Sequence, residues 1–172
     1  DPSVGSGHFL VSALNRLIVI RHELGLIYDN EGIKLKKKEY SVSIDNDELI
    51  ILDEDGELFH YNPNNIESQR VQKTFFELKR RIIENNLFGA DINPNSVNIC
   101  RLRLWIELLK NAYYKDAGEL ETLPNIDINI KCGDSLISRY PVMVGRYGGM
   151  NDQNSRQQIL AYKQAVEERS EE

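Results

Sequence analysis

Three separated stretches of this chain carry side chains suited to holding a polar ligand. The first is Asp1-Pro2-Ser3-Val4-Gly5-Ser6-Gly7-His8-Phe9. Its two glycines let the backbone turn tightly and come close to a ligand, and a helix that begins directly after them presents free N–H groups at its start. The second stretch ends in Asp91 and the third contains Gly133-Asp134-Ser135. A carboxylate accepts hydrogen bonds from hydroxyl and amino groups, the groups that the ribose and base of a nucleoside offer. A lone Gly-x-Gly is a weak signal, and Gly-x-Gly-x-x-Gly is absent because position 10 is Leu. The informative feature is the order: a glycine turn entering a helix, then a strand ending in Asp, then a strand ending in Gly-Asp-Ser.

The elements that must position these residues follow from periodicity. Phe9, Leu10, Ala13, Leu14, Leu17, Ile18 and Leu24 recur at spacings of three and four, which predicts a helix from residue 8 to about 24 closed by Gly25. Three β-rich runs near 40–44, 48–52 and 58–61, with Asp55-Gly56 as a turn, predict a small antiparallel meander. A second helix is expected from after Asn65 to about Asn85, with Val71, Phe75, Leu78, Ile82 and Ile83 on one side. Residues 87–92 then read as a buried parallel strand with its acid at the carboxyl end. Pro94 suits the first turn of a helix reaching about Tyr114, with Val97, Leu104, Trp105, Leu108 and Leu109 as its buried stripe. Alternation over 126–131 predicts another strand that leads into Asp134, and beyond Pro141 a glycine-rich loop precedes a polar helix over 153–172.

Strands linked by helices, with polar groups at their carboxyl ends, describe an α/β fold with an open sheet whose ligand crevice lies outside those ends. The expectation is a single domain over 1–172, with residues 39–86, meander plus helix, inserted within it. Such an insertion explains why Asp91 lies much further past the glycines than the roughly 20 residues of a compact dinucleotide-binding unit. A surface insertion adds little loop-closure cost. The lesser alternative for Asp91 is an acid stabilising the dipole of the helix that follows it.

Composition narrows the classes. A 41% hydrophobic content supports one buried core, and no apolar run approaches the roughly 18 residues of a membrane helix. The net charge of −6 argues against this stretch gripping a phosphate backbone by itself. Two basic runs, residues 34–38 and Lys79-Arg80-Arg81, read as solvated surface because acids flank both. Cys100 and Cys132 lack metal-ligand spacing, so a reduced, cytoplasmic protein fits. His8, His22 and His60 share no motif, and Tyr113-Tyr114 reads as helix-end packing.

With these residues in view, the chain resembles the adenine-N6 DNA methyltransferases with the gamma-type order of motifs, above all the fused type IIG/IIS restriction-modification enzymes. Asp1-Pro2-Ser3-Val4-Gly5-Ser6-Gly7-His8-Phe9 is similar to that family's Asp-Pro-x-x-Gly-Ser-Gly-x-Phe motif. Gly89-Ala90-Asp91-Ile92-Asn93-Pro94 resembles its second motif, and the stretch from Asn129 to Leu136 its third. The resemblance implies a partial Rossmann-like S-adenosylmethionine-dependent methyltransferase fold, cut at both ends. It implies that Asp1, Pro2, Ser3, Gly5 and Gly7 line the methionine part of S-adenosylmethionine and that Asp91 holds the ribose hydroxyls. Ile92 would pack on the adenine, Asp134 would accept from its exocyclic amine, and Ser135 would lie alongside.

The family's catalytic motif, Asn/Asp/Ser-Pro-Pro-Tyr/Phe, has no counterpart, since no Pro-Pro pair occurs in the chain. The resemblance therefore implies a cofactor-binding piece that is inactive alone. Double-stranded DNA would be contacted through other parts of a longer polypeptide, and an open sheet edge would favour self-association. Two other classes compete: a methyltransferase-like scaffold without catalysis, and a nicotinamide-dependent oxidoreductase, which the missing third glycine disfavours.

Overall fold

The first helix owes its start to a glycine and its end to another. Gly7, at φ 81°, is the residue before α1 (His8–Glu23), and its carbonyl accepts from Val11 N–H at 3.0 Å. At the far end Gly25 takes φ 64°, Leu26 N–H reaches Arg21 O and Gly25 N–H reaches His22 O, a paired closure that satisfies two terminal carbonyls. Leu10, Leu14 and Ile18 form the buried stripe between those ends.

This computed structural model describes residues 1–36, 40–115, 118–122, 124–126 and 129–135. Asp1–Ser135 make up one compact unit. The expected loop beyond Pro141 and the polar helix over 153–172 lie outside the described residues.

After α1 the chain forms a hairpin of β1 (Tyr40–Asp45) and β2 (Glu48–Asp53). Its two-residue turn is Asn46-Asp47, both at positive φ, the geometry that matches the twist of the paired strands. The expected third strand of a meander is absent among the described residues. Leu58 makes a single bridge to Leu52, and Phe59 N–H one bond to Ile51 O. Asp53 Oδ1 instead folds the Asp53–Gly56 segment by accepting from Asp55 and Glu57 N–H. Beyond Phe59 the chain is drawn toward α2, where Asn62 N–H donates to Ser68 Oγ and Tyr61 OH to Gln69.

Helix α2 (Ile66–Asn86) begins at Asn65, whose side chain accepts from Glu67 and Ser68 N–H. Within the stretch expected as an insertion, this helix forms a wall of the core: Phe75, Phe76, Ile82 and Ile83 are fully buried. Each such side chain contributes about 1.5–3 kcal/mol. Tyr40 of the hairpin meets Phe75 edge-on with ring centroids 5.4 Å apart. Lys79 is a correction to the reading of its basic run as solvated surface, since it is 1% exposed. The helical period that buries Phe75 and Ile82 also turns position 79 inward, where a carboxylate from the next helix meets it.

Strand β3 (Gly89–Asp91) leads into α3 (Pro94–Leu109), capped by Asn93 Oδ1 on Asn95 N–H with Pro94 in the first turn. The helix stops five residues short of Tyr114. Asn111 and Ala112 are held by Gln72 of α2, whose Nε2 donates to Ala112 O, and Tyr113 turns in against Phe76. Val97, Leu104 and Leu108 are buried as expected, whereas Leu109 is 48% exposed. Strand β4 (Ile130–Cys132) pairs in parallel with β3. Just before it, Asn129 N–H turns back to Ile126 O at 3.1 Å.

The Asn129 amide nitrogen lies 2.8 Å from both Ile83 O and Glu84 O and 3.1 Å from Leu87 O, carbonyls at the α2 terminus without a helical partner. Its own carbonyl accepts from Gly89 N–H. One residue thus ties the end of α2, through its side chain, to β3, through its main-chain carbonyl. Replacing Asn129 with Ala strands those buried carbonyls and is expected to cost about 2–3 kcal/mol. Urea titration followed by circular dichroism measures it, and an unchanged midpoint would show that water replaces the amide freely.

Candidate functional site

The three chemistry-bearing stretches meet at one end of β3. Residues 1–4 run beside β3 on the edge opposite β4: Ala90 N–H donates to Asp1 O at 3.0 Å and Val4 N–H to Ala90 O at 2.9 Å. On the other edge Gly89 pairs with Ile130, Ala90 with Lys131 and Asp91 with Cys132. Because β3 and β4 run in parallel, the segments that leave their carboxyl ends emerge on the same side. The Asp91–Asn93 turn and the Gly133–Ser135 turn both lie there.

Hydrogen bonds join the turns directly. Gly5 N–H donates to Asp91 Oδ2 at 2.8 Å, and Asn93 N–H to Asp91 Oδ1 at 2.9 Å. The backbone carbonyl of Asp91 accepts from Gly133 N–H at 2.9 Å. Ser135 Oγ donates to Pro2 O at 2.8 Å, closing the circuit between the first and third stretches. The Asn93 N–H, then the Gly5 N–H, hold the Asp91 carboxyl below its ordinary 3.8, so it is an anion at neutral pH. Asp1 Oδ1 accepts from Ser3 N–H at 3.0 Å, which curls the start of the first stretch.

Of the nine residues singled out from sequence, all lie on these three adjoining segments. Asp1, Pro2, Ser3, Asp134 and Ser135 are exposed, Gly5 and Asp91 half-buried. Ile92, which follows Asp91 in the chain, is 74% exposed, an apolar side chain open to solvent. Gly7 alone is buried, and it serves packing: a Cβ there would stand 2.6 Å from Cys100 Sγ and 3.1 Å from Cys100 Cα. A Cβ on Gly5, at φ 53°, or on Gly133 would meet nothing within 4 Å, so the backbone at both turns is open.

Sequence reasoning passed over four participants. Val4 is buried and sits so close to Gly89 that a Cβ on that glycine would lie 2.8 Å from Val4 Cγ2. The Gly-Ala-Asp spelling of β3 carried that signal, a glycine in a strand where another backbone approaches. Gly133 and Asn93 serve through their backbone N–H groups, which side-chain chemistry does not advertise. Arg101 of α3 grips β4 through Ile130 O, at 3.1 Å from Nε and 2.6 Å from Nη2.

The arrangement can bind but shows little to react with. Groups of three or more potential metal ligands are absent among the described residues, and Cys132, the exposed thiol, lies 3.7 Å from Ile92 O. The carboxyl groups of Asp91 and Asp134, a glycine turn and an apolar side chain suit a ligand with hydroxyls, an amine and a flat apolar surface.

Comparison with known proteins bears on this site. The Eco57I restriction-modification methylase family matches residues 85–171, a stretch that includes β3, α3 and β4. A putative type II restriction enzyme and methyltransferase of Methanocaldococcus jannaschii is 31% identical over 163 residues, 94% of this chain and 9% of that protein. A type II restriction enzyme and methyltransferase of Escherichia coli is 34% identical over 71 residues, 41% of this chain and 7% of that protein. The chain thus spans less than a tenth of the length of either relative. No solved structure matches it.

Proposed function

Since this chain belongs to the Eco57I restriction-modification methylase family, we propose that the junction of its three turns is the S-adenosylmethionine site of an adenine-N6 DNA methyltransferase. The observation that carries the reading is the convergence of Gly5, Asp91 and Gly133 through direct hydrogen bonds at the carboxyl ends of parallel strands.

The side chains present fit such a cofactor. Asp91 and Asp134 supply acceptors for ribose hydroxyls and for the adenine amine, and exposed Ile92 supplies an apolar face for the ring. The open glycine turn with Asp1, Pro2 and Ser3 leaves room for the methionine end. When bound, the cofactor would supply an electrophilic methyl group. The contribution of this chain is to hold and orient it, which is a large part of what a transfer between two bound partners requires.

The chain has no Asn-Pro-Pro-Tyr stretch to position a flipped adenine. Methyl transfer and DNA contact therefore belong, in this proposal, to other parts of a longer polypeptide, and these 172 residues bind without catalysing. The partial Rossmann-like fold and the inserted character of residues 39–86 are parts of the same proposal, as is self-association through an open sheet edge.

Isothermal calorimetry against S-adenosylmethionine and NAD is the direct test. Heat with the first and none with the second is the expected result, and preference for NAD would replace the methyltransferase reading with a redox one. Incubation with adenine-containing DNA and methyl-labelled cofactor is expected to leave the DNA unlabelled. Labelling would show that the chain carries its own catalytic groups. The absence of the Pro-Pro pair also favours a scaffold without catalysis, and a chain that binds neither ligand would support it.

A further inference from the structure

The Asp91 carboxylate reaches sideways to another segment rather than outward into the crevice alone. We propose that Asp91 is a positioning residue, a latch that holds the glycine turn in its ligand-ready shape before any ligand arrives. This inference rests on the cofactor-site reading given above and adds a second role to the acid assigned there to ribose.

The turn needs a latch because of what it is made of. Gly5 and Gly7 both sit at positive φ with one residue between them, and glycine loses more conformational freedom on ordering than any other residue. Gly7 is pinned by its close fit against Cys100, and Val4 by its fit against Gly89. Gly5 has no such neighbour; space around its missing Cβ is open. Its N–H is fixed instead by Asp91 Oδ2 at 2.8 Å, a charge-assisted bond of the stronger class.

Geometry also separates this role from that of a helix-dipole acid. Asn93 already caps α3 through Asn95 N–H, and Asp91 stands two residues before that cap with one oxygen on Gly5, 86 residues away in sequence. The other oxygen takes Asn93 N–H and the Asp91 main-chain carbonyl takes Gly133 N–H, so one residue fixes all three turns. A carboxylate offers about four acceptor positions, and two are used here. The remaining two stay open for hydroxyls of a ligand, which makes latch and ligand contact compatible.

Asp91→Ala and Asp91→Asn separate the two roles. An asparagine keeps one acceptor but turns an NH2 toward the second N–H donor, so it restores at most half the latch. Amide hydrogen exchange on the ligand-free chain is expected to quicken at Gly5 by at least about tenfold in Asp91→Ala and by less in Asp91→Asn. Exchange within α2 should stay unchanged in both. Affinity is then read for S-adenosylhomocysteine and its 2′,3′-dideoxy analogue. A latch predicts that Asp91→Ala weakens both ligands, including about fivefold or more for the analogue that has no ribose hydroxyls. Unchanged exchange at Gly5, or a loss confined to the hydroxyl-bearing ligand, would overturn the latch. If Asp91→Ala does not fold, Asp91→Asn decides by the same two readings. If the unaltered chain binds neither ligand, the cofactor-site reading fails, while exchange at Gly5 still decides the latch.

Discussion

Replacing Glu107 with Leu is expected to cost about 3–5 kcal/mol of stability, the loss that follows when one partner of a buried ion pair is removed. Lys79 is 1% exposed, with its ammonium 2.9 Å from Glu107 O and 3.3 Å from Glu107 Oε2. Lys110 stands 2.8 Å from the other Glu107 oxygen and 3.3 Å from Glu48 Oε1. Without the carboxylate, Lys79 keeps a carbonyl and no counter-charge, and must bury an uncompensated ammonium or give up its proton. Exchanging both residues, Lys79→Met with Glu107→Leu, removes charge and counter-charge together and is expected to recover most of the loss. Chemical denaturation of the single and double variants checks this. A single variant as stable as the parent would show that Lys79 escapes to solvent.

The same pair gives stability a particular dependence on pH. Burial draws the Lys79 ammonium down from 10.5 to about 8, against the pull of Glu107. Burial raises the Glu107 carboxyl, but Lys79 and Lys110 outweigh it and leave it below its ordinary 4.5, so it is ionised throughout the alkaline range. Between pH 8 and 10.5 the unfolded chain holds a proton on Lys79 that the folded protein has released. Stability therefore rises with pH across that interval, by at most roughly 3 kcal/mol. Tyr113 limits the rise: burial, then its bond to Glu121, pushes its phenol well above the ordinary 10.0. Above that value the unfolded chain ionises where the folded one does not, and stability falls again. Unfolding midpoints collected from pH 7 to 11 should pass through a maximum near 10, and the rise should vanish in Lys79→Met.

The second large effect is at the glycine turn. Gly7→Ala is expected to destabilise the protein by about 3 kcal/mol and to abolish ligand binding at the three turns. Two costs combine. An L-residue at φ 81° pays about 1–2 kcal/mol in the left-handed region. The new methyl would also stand 2.6 Å from the Sγ of Cys100, a fully buried residue on the inner face of α3, and overpacking of that kind typically costs about 1–3 kcal/mol. Relief requires the turn at Gly7 to move away from Cys100 of α3, which is expected to displace Gly5 from Asp91. Thermal unfolding and calorimetry with S-adenosylmethionine read the two consequences. A Cys100→Ala change beside Gly7→Ala should return part of the packing cost, since Cys100 Cα and Cβ stay at 3.1 Å, and leave the backbone part. Full recovery in that double variant would show that the left-handed conformation is not required.

Much was legible before any coordinates. α1, α2 and α3 announce themselves because each buries one stripe, and a stripe of period 3.6 is written in residue order. Asn65, Asn93-Pro94 and Gly25 mark helix ends through chemistry local to a few residues. The glycine turn and the acids after two strands were readable for the same reason: each motif is short, and its residues act near where they stand.

The rest was settled by partners distant along the chain. Lys79 looks like surface beside Arg80 and Arg81, and only the approach of Glu107 from α3 makes its burial tolerable. The run after Gly56 has the composition of a strand but is drawn toward the cap of α2. α3 ends early because Gln72 and Phe76 hold the residues after it. Asp91 reads as an acid at a strand end, yet the bond that gives it a second role comes from Gly5, 86 residues away. Residue order determines which segments become helix or strand, because that choice depends on neighbours within a turn or two. Which polar groups become partners is decided by packing, because a buried donor or acceptor must take whatever partner the folded core brings within about 3 Å.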